Sequence, residues 1–515
     1  MNQIIPEVWK KEKQQMNFSY QDFFQTFPLS SLFKNAKIHK SKGISVYQIF
    51  QYIFLLPFTG KTGYRTFSFY GKLIPFGKDV MYRFLSETSF QWHKFLQRLS
   101  STLVLKFYRP LTNPDRMDVL ILDDTIIHRE RSKKAEYLSW VHDHLLGKSV
   151  KGYQMLTLLW SDGTSHVPLS FSLHGSPEHL VLPQQTLPHP PFHPASHAYR
   201  IRNTVMQEKT ESALEMIQEA IHCGIQPKYV LFDSWFAFPK FYSNILDQCH
   251  LPSICIVKKM PKVYYKYQGR LGDLTKLYAI CQEENKRKKQ QTKQNQTSQI
   301  LPLLSQPSNR TTNLPTNQVS NKNIRKEEDE LLEECSIYGS LIVSAGSNAV
   351  DYTTPVKIVF VQNRNNKRDW LAVLSTDISL SDEEIIRIYG KRWSIEVFFR
   401  TIKELLKAED EFQLIYLDSI YAHLSIVLSR YCLLSWMERK SMDDRTLGDL
   451  FYQCCEELMD LRVIDALYLC FRYLIATVSK EVQITNSVID KLYTSFVDHL
   501  PSWIQESRVA TFCEV

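Results

Sequence analysis

The sequence predicts an α/β core that is flanked by two helical regions, and three observations lead to this prediction. Apolar residues recur at helical spacing before residue 112, as in Val46, Ile49 and Ile53, and helical patterning returns from Asp382 to the end. Between these regions, short apolar runs are bounded by turn residues, as expected for buried strands. The 515 residues are 44% hydrophobic and 23% charged, an ordinary globular composition for two to four domains.

Residues 1–112 are predicted to form a helical region that binds DNA. Basic residues are interleaved with its apolar stripes, and one interpretation is a helix-turn-helix centred near Gly77 to Leu85. A helical cap with a solvated charged face explains the same pattern equally well. The basic residues are Lys34, Lys37, Lys40, Lys42, Lys61, Arg65, Lys72, Lys78 and Arg83.

Residues 113–257 are predicted to form the first part of the core. A strand that ends in carboxylates is followed by two strands joined through a Ser-Asp-Gly-Thr turn, then by a helix, a strand, a helix and a last strand. This order is typical of ribonuclease-H-like folds. The predicted elements are Met117–Asp124, Gly152–Trp160, Ser165–Ser172, Asn203–Cys223, Tyr229–Asp233, a helix beginning at Pro239, and Leu251–Val257.

The rest of the chain divides into three predicted parts. Residues 258–380 form a strand-rich insertion, in which residues 283–328 are expected to be disordered because they are rich in Gln, Asn, Lys, Thr, Ser and Pro. Its strands are predicted near Ser336–Val343, Pro355–Val361 and Trp370–Ser375. Residues 381–410 form a helix that completes the core, and residues 411–515 form a helical region that is a candidate for dimerisation.

The overall charge and the cysteines bear on partners and compartment. Lys and Arg number 62 against 54 Asp and Glu, and this net charge of +8 favours a polyanionic partner without requiring one. Ten cysteines without a Cys-x-x-Cys pair indicate reduced thiols. Because the N-terminus has no apolar signal core and the longest apolar run is short, we expect a soluble, cytoplasmic protein.

Two short motifs place carboxylates at the ends of predicted strands. Asp123-Asp124-Thr125 ends the first strand, and Asp233 ends the fourth. The first and fourth strands of a ribonuclease-H-like sheet are neighbours, so these carboxylates are expected to lie close enough to share a metal ion. Mg²⁺ prefers oxygen ligands, typically one or two carboxylates with water and phosphate. An aspartate at a strand end is also a common turn former, and each motif alone favours that interpretation.

A third motif changes this balance. Tyr389, Arg392, Glu396 and Lys403 lie at offsets of 0, 3, 7 and 14, within roughly a 60° arc of one predicted helix. Apolar residues around them, such as Trp393, predict that this helix is largely buried. Burying a carboxylate with two cations is costly unless ligands or partners compensate the charges, and metal ions with DNA phosphate would do so.

This third motif resembles a known signature. Tyr389-x-x-Arg392-x-x-x-Glu396, followed after six residues by Lys403, resembles the YREK signature of cut-and-paste insertion-sequence transposases, a group within the DDE superfamily. The resemblance covers about residues 117–410, including a large insertion that is strand-rich in that family. It implies that Tyr389 and Arg392 hold DNA near the transposon-end phosphate, and that Lys403 contacts the DNA backbone.

The two aspartate motifs match the same family. Asp124-Thr125 resembles its first-aspartate motif, and Asp233-x-x-Phe236 resembles its second. The resemblance implies that Asp124, Asp233 and Glu396 hold two divalent ions, Mg²⁺ with Mn²⁺ as a substitute. Asp123 is the alternative to Asp124, which is preferred because it directly precedes the threonine. Two such ions activate the attacking oxygen and stabilise the leaving one in phosphodiester cleavage.

The expected partners are the terminal inverted repeats of a transposon and target DNA, with a homodimer in the synaptic complex. A patch of lysines and tyrosines in the insertion suits DNA contact, because cations pair with phosphates and aromatic rings stack on bases. A surface strand with one solvated face is the alternative interpretation. The residues assigned to DNA in this patch are Lys258, Lys259, Lys262 and Tyr265. A metal-dependent nuclease without strand transfer and an inactive DNA-binding derivative are the rival functions.

Overall fold

The structure is a computed structural model of the chain. It describes residues 19–60, 62–63, 66–67, 74, 76–112, 116–181, 192–260, 263–297, 336–346, 353–363, 366, 368–441 and 445–478, with isolated positions between 487 and 499.

The N-terminal region consists of helices that pack through aromatic side chains. Phe33 stacks on Phe95 with ring centroids 5.3 Å apart, and Phe23 contacts Trp436 at 5.7 Å. The N-terminal helices therefore share a hydrophobic core with a helix from the far end of the chain. They are α1 (Ser19–Thr26), α2 (Leu29–Asn35), α3 (Val46–Leu55), α4 (Lys78–Leu85) and α5 (Trp92–Leu103).

The central sheet begins with five strands in the order that the sequence predicts. β1 pairs antiparallel with β3, which pairs with β4 on its other side, and β1 pairs in parallel with β5, which in turn pairs with β6. Helices α6 (His197–Met206) and α7 (Lys209–His222) precede β5, and α8 (Pro239–Cys249) connects β5 to β6. This large mixed α/β sheet is consistent with a ribonuclease-H-like DDE domain. The strands are β1 (Val119–His128), β3 (Lys148–Ser161), β4 (His166–His174), β5 (Tyr229–Phe232) and β6 (Ser253–Val257).

Among the described residues, six further strands extend this sheet. β2 (Ser139–Asp143) forms a hairpin with the first residues of β3. The other five come from the predicted insertion, and they join the core where β11 pairs antiparallel with β6. They are β7 (Tyr265–Tyr267), β8 (Arg270–Gly272), β9 (Ile337–Ala345), β10 (Thr354–Gln362) and β11 (Trp370–Ser375).

Helix α9 (Leu274–Thr297) corrects part of the expected disorder, because residues 283–297 are helical. Its first turns bury Leu277 and Cys281, and Gly339 of β9 lies so close to Cys281 that a Cβ there would clash. Once these turns are anchored, the following Lys, Arg, Glu and Gln residues continue the helix, since all four are good helix formers. Residues 298–328 lie outside the described residues.

The last helices complete the core and cover it. α10 (Asp382–Gly390) begins with a capping box between Ser381 and Glu384. A 3₁₀ turn (Lys391–Trp393) joins it to α11 (Ser394–Glu404), and the chain continues into α12 (Leu417–Ser441) and α13 (Leu447–Val478). None of the described helices combines the length and the apolar character that crossing a membrane requires.

Candidate active site

Strands β1 and β5 bring two aspartates together at the edge where the pairing of these two strands ends, although β1 itself continues to His128 rather than ending at the aspartates as predicted. Their parallel pairing ends with Leu122 opposite Phe232, so Asp123 and Asp233 are the next residues of the two chains. The Asp123 side chain is buried, whereas Asp233 is half-buried. Asp233 Oδ1 accepts a hydrogen bond from the Trp235 backbone N–H at 2.9 Å, which orients this carboxylate at the strand end.

The Arg392 guanidinium joins this edge to α11. Its Nη1 lies 2.8 Å from Asp123 Oδ2, and its Nη2 lies 3.6 Å from Glu396 Oε1. Burial raises the pKa of the nearby Tyr389 hydroxyl, while the charge on Arg392 opposes that shift. A cation thus lies between carboxylates from β1 and α11, and Asp233 is close enough to affect the pKa of Asp123.

Asp123 has the most strongly altered carboxyl group of this edge. Burial raises its pKa to about 7, against the attraction of Arg392; repulsion from Asp233 adds to the rise. The Asp124 backbone N–H, which donates to Asp123 Oδ1 at 2.8 Å, favours the ionised form. Because the Asp123 carboxyl group is buried beside Asp233, its ionised form requires compensating positive charge.

The neighbouring Asp124 has different partners. Its Oδ2 lies 3.0 Å from Lys209 Nζ of α7, and that ammonium lies 3.6 Å from the centroid of the Trp235 ring. Successive side chains of a strand point to opposite faces of a sheet, so Asp123 and Asp124 cannot both face Arg392. The structure thus brings Asp123 beside Arg392, which also contacts Glu396, whereas the sequence analysis preferred Asp124.

The YREK residues do not share one uninterrupted α-helix. Tyr389 belongs to α10, Arg392 to the 3₁₀ turn, and Glu396 and Lys403 to α11. A 3₁₀ turn has fewer residues per turn than an α-helix. The four side chains therefore do not lie on one face as they would on a continuous α-helix. Lys403 lies seven residues beyond Glu396, about 10 Å along the axis. Its Nζ is 3.8 Å from Glu409 Oε1, and burial lowers its pKa.

The exposure of the 3₁₀ turn and of α11 also differs from the expectation that the motif is largely buried. Ile395 and Phe398 are buried, but Trp393 is 66% exposed and Val397 is 43% exposed. Trp393 therefore presents an aromatic surface directly beside Arg392. This surface differs from the prediction because a tryptophan within an apolar stripe predicts burial.

The basic patch of the insertion is exposed only in part. Lys258 and Lys259 are exposed, and Lys259 pairs with Asp369 at 3.1 Å. Tyr265 is 1% exposed, which corrects its assignment to DNA contact: it occupies an inward-facing position of β7. The adjacent Tyr264 is 44% exposed and holds the outward position. Lys262 lies outside the described residues.

The carboxylate oxygens of this site are suitable ligands for divalent ions. Hard cations such as Mg²⁺ take carboxylate oxygens, and Asp123, Asp233 and Glu396 supply them from three elements around one edge. Within the described part of the chain, no three such side chains are already gathered as a metal cluster. Arg392 occupies the position between Asp123 and Glu396 and supplies the compensating charge there.

Two families of known proteins match parts of the chain. Residues 72–299 match the DDE superfamily endonuclease family, and residues 197–433 match the transposase DDE domain family. No curated protein matches the chain. The two matches overlap and together cover residues 72–433, which contain all of the carboxylates described above. Residues 72–433 of the chain are therefore similar to DDE superfamily endonucleases and to the DDE domain of transposases.

Proposed function

We propose that the protein is a transposase that cleaves DNA at transposon ends and transfers the freed strand by a cut-and-paste mechanism. One observation carries this proposal: Arg392 links Asp123 to Glu396 at the sheet edge where Asp233 also lies. The spacing of Tyr389, Arg392, Glu396 and Lys403 supports membership of the YREK-signature group. We propose that it acts in the nucleoid of a prokaryotic cell.

The proposed metal-binding residues are Asp123, Asp233 and Glu396, with Asp123 in the place that the sequence analysis gave to Asp124. These carboxylates would hold two divalent ions, Mg²⁺ or Mn²⁺. The chemistry that such ions supply when bound is activation of the attacking oxygen and stabilisation of the leaving one. Arg392 is positioned to pair with a DNA phosphate when its carboxylate partners bind cations.

The surroundings of the carboxylates suit nucleic acid. Trp393 and Trp235 are exposed by 66% and 42%, and their rings offer stacking surfaces for bases. Lys403 lies on α11, where its ammonium group pairs with Glu409 and would contact the DNA backbone. Among the described contacts, Lys259 forms an ion pair with Asp369, whereas Lys258 does not. The proposed partners are terminal inverted repeats and target DNA, bound by a homodimer.

A nuclease on the same fold is the second candidate, because the family matched over residues 72–299 is one of endonucleases. Both candidates require the carboxylates, and they differ only in whether the freed 3′-hydroxyl attacks a target. A joining assay with pre-cleaved ends separates them. Appearance of joined products supports the transposase, and cleavage without joining supports the nuclease.

The test of the site compares Glu396→Gln with the wild type on DNA that carries the element's own ends, in Mg²⁺ and in Mn²⁺. We expect the variant to bind this DNA and to cleave it at least about a thousandfold more slowly. Glu404→Gln is the matched control, since Glu404 is an exposed carboxylate of the same helix. Cleavage by Glu396→Gln at the wild-type rate would remove Glu396 from the site.

A further inference from the structure

A hairpin arm extends from the edge of the sheet that carries the carboxylates. The arm is defined as residues 139–152, which comprise β2, the turn after it and the start of β3. β1 ends where His128 pairs with Gly152, but β3 reaches further, to Lys148, which pairs with Asp143. The arm thus continues past the carboxyl end of β1.

The tip of the arm presents two leucines to solvent. Leu145 is 98% exposed and Leu146 is 54% exposed. The turn is ordered, because Asp143 Oδ1 accepts hydrogen bonds from the backbone N–H groups of Leu145 and Leu146 at 2.8 and 3.1 Å. Burying an apolar side chain that is exposed to water is favourable, and that stabilisation is available to a partner that covers the tip.

The arm is flanked by cations. Lys148 is exposed, and Lys151 lies 5.5 Å from the ring of Trp140, which is itself 45% exposed. The carboxylate of Asp143 is buried and lies 3.2 Å from His128 Nε2, so its charge is turned away from this surface. The segment leading to the arm adds the exposed cations Arg131, Lys133 and Lys134, against the exposed carboxylate Glu130.

An apolar tip between cations matches duplex DNA. Proteins that bend DNA insert leucine or similar side chains between base steps, while flanking Lys and Arg residues neutralise phosphates. A second protein chain would cover the leucines equally well, but it would gain little from surroundings in which cations outnumber the single carboxylate Glu130. The charge around the tip therefore favours nucleic acid.

We infer that the arm is a second DNA contact, in which Leu145 and Leu146 enter the duplex and Lys148 and Lys151 pair with its phosphates. Asp123 pairs with Thr157, nine residues along β3 from Lys148, so the tip lies about 30 Å along the strand from the carboxylates. That is close to one turn of B-DNA. The inference rests on the proposed function, since it places the same DNA on both surfaces.

The test uses the double variant Leu145→Ala, Leu146→Ala and a duplex that carries the element's own end. Fluorescence anisotropy measures the affinity, and energy transfer between dyes at the two duplex ends measures the bend. We expect the duplex to stay unbent with this variant. We also expect the variant to bind the duplex about tenfold more weakly, because the apolar burial of the two leucines is lost. The matched control is Leu271→Ala, because Leu271 is 52% exposed on β8, outside the arm.

A second variant, Lys148→Ala with Lys151→Ala, tests the charges. We expect the slope of log affinity against log salt to decrease by about 2. The inference is overturned if the leucine variant binds and bends DNA as the wild type does. It is equally overturned if light scattering shows that this variant changes oligomeric state while its DNA binding is intact. If the wild type itself does not bind the duplex, the proposed function fails as well.

Discussion

At the scale of single residues, Asp123 and Asp124 differ in partners although they are adjacent. Asp123 contacts Arg392, and Asp124 contacts Lys209. Both lie on a strand, so their side chains leave opposite faces of the sheet. Only one of the two can take part in a site that also includes Glu396, and the contacts favour Asp123.

This choice leads to a prediction for two matched substitutions. We expect Asp123→Asn to abolish Mn²⁺ binding at the site and to slow DNA cleavage at least about a thousandfold, because it removes a metal-binding carboxylate. Asp124→Asn removes only the ion pair with Lys209 and is expected to retain cleavage within about tenfold. Calorimetric titration with Mn²⁺ and a cleavage assay measure both effects.

The opposite ranking of these two variants would contradict the assignment. If Asp124→Asn is inactive and Asp123→Asn cleaves normally, the first carboxylate is Asp124, as the motif Asp-Thr suggested. Thermal unfolding of both variants is the control, since a loss of folding would imitate a loss of activity.

The residue scale also shows where sequence reasoning reaches its limit. The residue types at Asp233, Arg392 and Glu396 were sufficient to predict a site. Whether Asp123 or Asp124 faces it, and whether Tyr264 or Tyr265 faces solvent, depends on the phase of strand alternation. A one-residue change of phase exchanges the two faces, and a single sequence does not determine it.

At the scale of elements, helix α12 is attached to the core by a buried ion cluster. Arg430 donates to both carboxylate oxygens of Glu411, at 2.8 and 2.9 Å, and to the backbone carbonyls of Ile53 and Phe54. His423 Nε2 lies 2.9 Å from Glu411. Despite burial, the charge on Arg430 holds the pKa of Glu411 below its ordinary value of 4.5.

The cluster predicts how stability depends on pH. A depressed carboxyl pKa stabilises the fold above about pH 4.5, and that contribution is lost as the pH falls towards the folded-state pKa. We expect Glu411→Gln to lower the free energy of unfolding at pH 7 by about 3 kcal/mol or more, since Arg430 is left as an unpaired buried charge. Urea denaturation between pH 3 and pH 7 measures both effects.

The difference between Glu411→Gln and the wild type should shrink in acid, where Glu411 is itself protonated. Glu404→Gln serves as the control because Glu404 is exposed. A difference that stays constant from pH 7 down to pH 3 would mean that Glu411 does not titrate in this range.

Elements were predicted unevenly, for physical reasons. The core strands were found because each is a run of apolar residues, whereas β2 was missed since only Trp140 and Val141 of its five residues are apolar. The 3₁₀ turn at Lys391–Trp393 was missed because helical periodicity does not distinguish a short change of pitch. The polar end of α9 predicts disorder because it has no apolar face.

At the scale of the whole molecule, one sheet passes from the core into the insertion. Leu374 of β11 is fully buried and pairs with Cys255 of β6 at this junction. The sequence predicts residues 258–380 as a separate part, since pairing between distant segments leaves no local pattern. The domain boundaries that it assigned stay predictions.

The shared sheet predicts cooperative unfolding. We expect Leu374→Ala to lower the free energy of unfolding by about 2–5 kcal/mol through the cavity it leaves, and to shift a single transition. Denaturation followed by near-ultraviolet circular dichroism and by hydrogen exchange of the β5 and β10 amides measures this. Two separate transitions, with β5 unaffected, would show that the insertion folds independently of the core.

The pairing of β6 with β11 also has a consequence for how this protein can be remodelled. The chain leaves the core after Val257 and returns by Ala372, and these two residues are partners in the sheet. The segment between Val257 and Ala372 therefore leaves and re-enters the core at neighbouring positions of the sheet. Loops between these strands can be lengthened, or can carry a reporter domain, while the strands of the shared sheet and the contact of Asp123 with Arg392 are kept.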